Sequence, residues 1–210
     1  MARETVQQMM AGVQHDGCRL VARNTVRYRK GATVIYRLHR TDIIVESGDT
    51  VTLYCGGYRT VTTKDRINRF SPVRIHSDKG IWYIGDVPFY DGIQVRKDGT
   101  VIADLDMAER EKAWTLAMRR SIDKLVRLCD GGVPESDAGD CWFCQMGQDS
   151  ADHMKSHVTE GYLHGSLVRL MGKWRGRACY QWPMASVVRT LGVQTIKRDL
   201  RNFLRAKLGV

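Results

Sequence analysis

The run Cys141-Trp142-Phe143-Cys144, followed after eight residues by His153-Met154-Lys155-Ser156-His157, most constrains how the second half of this chain folds. Two thiolates separated by two residues reach one ion from the two arms of a tight turn. Two histidines four apart on a helix project from the same face. Two sulfurs and two imidazoles form the closed tetrahedral set of a structural zinc site. The expected ligands are therefore Cys141, Cys144, His153 and His157, and the expected cofactor is structural zinc. Eight residues between the second cysteine and the first histidine leave little room for the second strand of the common DNA-reading finger, whose gap is about twelve. The spacing predicts a cysteine turn running almost directly into a helix, with Ser150 as its cap and Asp152 in its first turn. His164 reads as an ordinary polar residue near the break marked by Gly161 and Gly165, with ligand exchange as the alternative.

The same residues speak against catalysis. A hydrolytic zinc keeps an open position and a carboxylate base nearby. Here the helix reads His-Met-Lys-Ser-His, without the glutamate of a His-Glu-x-x-His protease, and the deaminase signature is absent too. No catalytic residue is assigned. The Cys-x2-Cys with Asp152-His153 is similar to HNH nucleases over those few residues alone. There is no second Cys-x2-Cys, so a zinc-dependent nuclease is the weakest alternative, with Asp152 and His164 as its first test positions.

Charge is distributed unevenly. The formal net charge is +10, and from Gly165 onward there are ten Lys or Arg residues and one acid, Asp199. Such asymmetry is the electrostatic footprint of a surface that meets phosphate. The candidate nucleic-acid contacts are Arg169, the loop residues Lys173, Trp174, Arg175 and Arg177, and Lys197, Arg198, Arg201 and Arg205 on the last helix. Trp174 is the expected stacking platform for an exposed base. Apolar content of 43% and charged content of 27% suit a globular chain. No apolar run is long enough to span a membrane. MARETVQQMM lacks the apolar core of a secretory signal, so the six cysteines are expected reduced in a cytoplasm.

The expected fold class is α+β: a β-rich antiparallel meander or small barrel, then a helical zinc-binding module. The expected divisions are an arm at 1–17, a β-rich domain at 18–103, a linking helix at 104–130, an exposed linker at 131–140 and a zinc-stapled basic module at 141–210. Strand runs such as TVRY, TVIYRL, DIIV, TVTLY, IWYI and IQVR alternate with turn signals at Gly31, Gly48, Gly80 and Gly99. One segment interrupts them. Thr63 is expected to cap a short helix with Ile67 and Phe70 inward. That segment is either a plain connector or a phosphate seat of threonine hydroxyls, helix amides and Arg66 or Arg69. Asp106 with Glu109 predicts the capping box of the linking helix, whose apolar stripe is Trp114, Met118, Ile122, Leu125 and Cys129. Tyr162 to Met171 is expected to continue as helix, Trp182-Pro183 to open another, and Gln194 to Leu208 to form the last.

The run GGYRTVTTKDRINRF, together with DCWFC and DHMKSHVTEGYLHGSL, resembles hypothetical proteins of tailed bacteriophages and prophages, from about Thr41 onward. The resemblance implies a bacterial host cytoplasm and transfers no catalytic residue. Combined with the zinc motif and basic tail, it gives the main expectation: a phage-like nucleic-acid-binding protein, with DNA or RNA as partner and no membrane. The alternative is a protein-binding regulator or inhibitor of a host enzyme.

Overall fold

The computed structural model describes residues 5–135 and 140–210. It is α+β, with an antiparallel meander followed by helices, as the sequence patterning predicts. The chain divides into two compact units, Met1–Trp114 and Thr115–Val210. Four residues of the expected linker, 136–139, lie outside the described residues.

In the first unit a short helix α1 (Val6–Met9) precedes five strands paired each to the next: β1 (Asp16–Ala22), β2 (Thr25–Lys30), β3 (Thr33–Leu38), β4 (Thr41–Ser47) and β5 (Thr50–Leu53). After β5 the chain leaves the sheet. It forms α2 (Val61–Phe70) and a three-stranded sheet of β6 (Ile75–Asp78), β7 (Ile81–Ile84) and β8 (Val87–Pro88). It then returns with β9 (Ile93–Arg96) against β5, and β10 (Val101–Ile102) pairs with β9. The meander stays open: among the described residues no ladder joins β10 to β1, so the barrel form is not adopted. Register follows side-chain alternation. Val51 faces Val95 and Leu53 faces Ile93, all four buried, while Thr50 and Thr52 take the other face.

The excursion is tied back by polar anchors. Asp91 accepts the amides of Cys55 at 2.6 Å and Gly56 at 2.8 Å. Burial, with the Asp91 carboxylate adding to it, pushes the Cys55 thiol up to about 12. The cap of α2 is Thr60 and not Thr63: the Thr60 hydroxyl accepts the Thr63 amide at 3.1 Å. Thr63 stands one turn in, buried, with its hydroxyl 2.9 Å from that of Thr60. Arg66 is engaged by Asp65, Thr25 and Asn24, and Arg69 lies over the Phe70 ring. These contacts support the connector reading, since both arginines are turned to local partners.

The linking helix α3 (Leu105–Arg127) starts one residue before the expected capping box. Its cap is Asp104, whose carboxylate accepts the Met107 amide at 3.0 Å, which leaves Asp106 in the first turn. In the first unit Arg59 reaches Glu111 on this helix at 2.8 Å. The helix ends in a 3-10 turn, Leu128–Gly131.

The second unit holds α4 (Trp142–Gln145), α5 (Ala151–Glu160), α6 (Gly165–Trp174), α7 (Met184–Leu191) and α8 (Val193–Leu208), with a 3-10 turn at Ala178–Gln181. The helix expected from Tyr162 begins only at Gly165. Gly161 is left-handed, with φ of 69°, and ends α5 before α6 can start. Helices α4, α5 and α7 and the second 3-10 turn pack on α6 or α8. Ile196, Leu200, Phe203 and Leu204 of α8 are fully buried. At Gly172 a Cβ would fall 1.9 Å from the Tyr180 ring, so only glycine lets that turn lie on α6.

Candidate metal centre

The cysteine turn and two helix starts bring the donors together. Cys141 precedes α4 and Cys144 lies within it, buried. Ser150 caps α5 as expected, its hydroxyl accepting the His153 amide at 3.3 Å. That registers His153 and His157 one turn apart on the face turned to the sulfurs. His164 is the cap of α6 and is buried. The donor atoms of Cys141, Cys144, His157 and His164 all lie within 4.8 Å of one another, and this group could hold a metal ion.

His153, the expected ligand, stands beside the same group. Its Nε2 is 3.6 Å from Cys141 Sγ, 3.3 Å from Cys144 Sγ and 3.1 Å from His157 Nε2. Cys144 Sγ is 3.4 Å from His157 Nε2, and His157 Nε2 is 3.4 Å from His164 Nε2. Metal–sulfur and metal–nitrogen bonds of about 2.3 and 2.0–2.1 Å at tetrahedral angles set donor–donor edges of about 3.3–3.8 Å. Four of these five separations fall in that range, and the group with His164 closes to within 4.8 Å, so the cluster could hold a tetrahedral ion. Five donor side chains therefore surround a point where such an ion takes four. Burial, with His164 and His153 adjacent, holds His157 down at about 4, so its ring is neutral and a competent ligand at neutral pH.

A buried carboxylate distinguishes His164. Asp140, expected in the exposed linker, has a side chain only 2% exposed, and its Oδ1 is 2.8 Å from His164 Nδ1. Its Oδ2 accepts the Ser166 amide at 2.8 Å. The Leu167 amide also points at His164 Nδ1, at 3.2 Å. One nitrogen cannot both donate to a carboxylate and accept an amide hydrogen. The charged Asp140 prevails over the longer amide contact, and the Ser166 hydroxyl 2.7 Å from Nδ1 can accept as well, so Nδ1 carries the proton and Nε2 presents a lone pair towards His157 and the cysteines. A carboxylate behind a ligating histidine is the usual outer partner of a metal site. Sequence spacing could not single out His164 or Asp140, because one lies after a helix break and the other before the cysteine turn.

The basic residues separate into two groups. On α8, Lys197 is paired with Asp130 at 2.7 Å, and Arg201 and Arg205 with Asp123 at 2.7 and 3.3 Å. Arg169 donates to the carbonyls of Tyr180 and Trp182 and lies 3.5 Å from Glu135. These four expected contacts are turned to the protein. The open basic face expected on α8 is reduced to Arg198, whose side chain is 59% exposed. Acids from α3 and the turn after it provide the counter-charges, and they are distant in sequence. Arg175, Arg177 and Arg198 surround Asp199 at 3.3–3.5 Å. Asp199 is fully buried, and three cations share its one charge. Trp174 packs edge-on against Phe203, with 41% of its surface exposed. Lys173 is exposed, near Gly147.

Comparison with known proteins bears on the first unit. Residues 2–104 match the Kyanoviridae Gp96 protein family. Gp96 is a phage protein family, which agrees with the phage resemblance of the sequence. The Gp96 match takes in the whole meander and the GGYRTVTTKDRINRF run, and it ends before the cysteine turn. The candidate metal centre thus lies in the part of the chain beyond the Gp96 match. Among curated proteins and among solved structures, none matches the chain.

Proposed function

We propose that this phage-family chain is a nucleic-acid-binding protein whose second unit is held by a structural zinc ion and acts in the host cytoplasm without catalysis. Convergence of two cysteine sulfurs and histidine nitrogens at tetrahedral spacing carries the zinc half of this reading. Cys141, Cys144 and His157 are the common ligands. His164, oriented by Asp140, takes the fourth seat, with the half-buried His153 as its alternate. Thiolate and imidazole donors select zinc over hard cations.

The nucleic-acid half rests on the second group of cations. Arg175, Arg177 and Arg198 share one buried acid, Asp199, and the exposed Lys173 lies one residue before Trp174 in the same basic run, which leaves an excess of positive charge on that segment. Electrostatic contact with phosphates loses affinity linearly with the logarithm of salt, by about 0.7 per contact on single strands. Four such side chains give an expected slope of about −3. Fluorescence anisotropy of the zinc-loaded protein with a labelled single-stranded oligonucleotide, across a salt series, tests this. Absence of binding at low salt, or affinity independent of salt, rules the reading out.

A second reading has its own support. Trp142, Phe143 and Met146 on the cysteine turn are 67%, 56% and 62% exposed, an apolar group that suits a protein partner such as a host enzyme. A single stoichiometric host protein retained after nuclease treatment, with no oligonucleotide binding, would favour it.

A further inference from the structure

Between the cysteine turn, α6 and the second 3-10 turn lies a cleft of about 910 Å³, wholly within the second unit. Among the described residues its lining includes Arg169, Lys173 and Arg177 and no acidic side chain. Backbone anchors fix one wall: Arg169 Nη1 donates to the carbonyls of Tyr180 at 2.7 Å and Trp182 at 2.8 Å. Lys173 follows one turn along the same face of α6. A Cβ on Gly147 would lie 3.3 Å from Lys173 Nζ, so the ammonium reaches across to the cysteine turn. Arg177 joins them, with Nε 3.3 Å from Asp199, an acid it shares with two other arginines. Glu135, 3.5 Å from Arg169, is outside the lining and accepts the amides of Met184 and Ala185. The floor includes Cys144 and Gln145 of the metal-bearing turn. Trp142 stands three residues before Gln145 on the same turn and is exposed. Residues three apart on a helix share a face.

We infer that this cleft seats a phosphate of a single-stranded nucleic acid, with Lys173 and Arg177 as its charge partners and Trp142 as a stacking surface for the adjoining base. The inference rests on the nucleic-acid reading above and names the place where it operates. Small neutral residues at Gly147, Gly176 and Ala178 let a backbone approach closely. An aromatic face beside a cationic groove is how proteins hold single strands without reading sequence. The metal is then coupled to binding through geometry, since Cys144 belongs to both sites.

The test uses the full zinc-loaded chain and a labelled oligothymidylate of twelve nucleotides. Lys173→Ala is expected to weaken binding about fivefold to tenfold near physiological salt and to reduce the salt slope by about 0.7. Trp142→Ala should weaken binding by a similar factor without changing the slope. Lys155→Ala, at an exposed lysine on α5, is the control and should leave both unchanged. Inorganic phosphate at millimolar concentration should compete no better than chloride at equal ionic strength, because a strand and not the free ion is the occupant. Specific competition by phosphate, with no effect of Trp142→Ala, overturns the strand and leaves a small-anion site. Full binding by both Lys173→Ala and Trp142→Ala overturns the cleft while the broader reading stands. If the unaltered protein binds no oligonucleotide at low salt, both fall.

Discussion

At the scale of single residues, the fourth ligand is the sharpest question. His164 and Asp140 are buried together, and their 2.8 Å contact leaves the outward nitrogen of His164 facing the cysteines. His153 is half-buried beside Phe143. Asp140→Asn keeps the shape but removes the charge, and loss of such an outer partner weakens metal binding by about 10–100-fold. Competition against a chromophoric chelator measures this. His164→Ala should do at least as much, and His153→Ala less. The reverse order would return the fourth seat to His153. Four of the five converging donors were legible as candidates from the Cys-x2-Cys and His-x3-His spacing. His164 was legible as a polar residue near a glycine, with ligand exchange as the alternative. Its role comes from the left-handed turn at Gly161, which redirects the chain so that the cap of α6 points back at α5.

At the scale of elements, the periodic segments were readable and their ends were less so. Alternation in TVTL and the Ile196–Leu204 stripe fixed β5 and α8, because burial follows the same period as the backbone. The strand β1 was hidden, since its side chains are mostly exposed and show no alternation. The cap of α2 was misplaced by three residues in a run with three threonines. Position in the turn, and not residue type, decides which hydroxyl meets the free amide. Thr60→Ala should therefore cost about 1 kcal/mol in urea unfolding, as loss of an N-cap does. The same change at the control Thr62, which is exposed, should cost less than half of that. The face of α8 was misjudged for a related reason. Helical spacing puts Lys197, Arg201 and Arg205 together, but Asp130 and Asp123 reach them from residues about seventy to eighty positions earlier.

At the scale of the whole molecule, the two units differ in what holds them. The first has a continuous apolar core from β4, β5 and β9 to α2 and the small sheet. The region from Cys141 to Trp174 joins three short helices through turns, and the expected metal is its internal staple. Hydrogen exchange with and without a zinc chelator should therefore show protection lost over 141–174. Protection of β5 and β9 should be unchanged. Equal loss in both units, or none in either, would refute a local role for the ion.

The path of the sheet carries a kinetic consequence. Strands β1 to β5 each close on a neighbour through a short turn, so they can zip one hairpin at a time. The ladder of β5 with β9 is different, because it must wait until α2 and the small sheet have looped out and come back. That closure spans the longest loop of any ladder in the seven-stranded sheet and costs the most chain entropy among them, so it is the step at which a newly made chain would stay longest with an uncovered sheet edge.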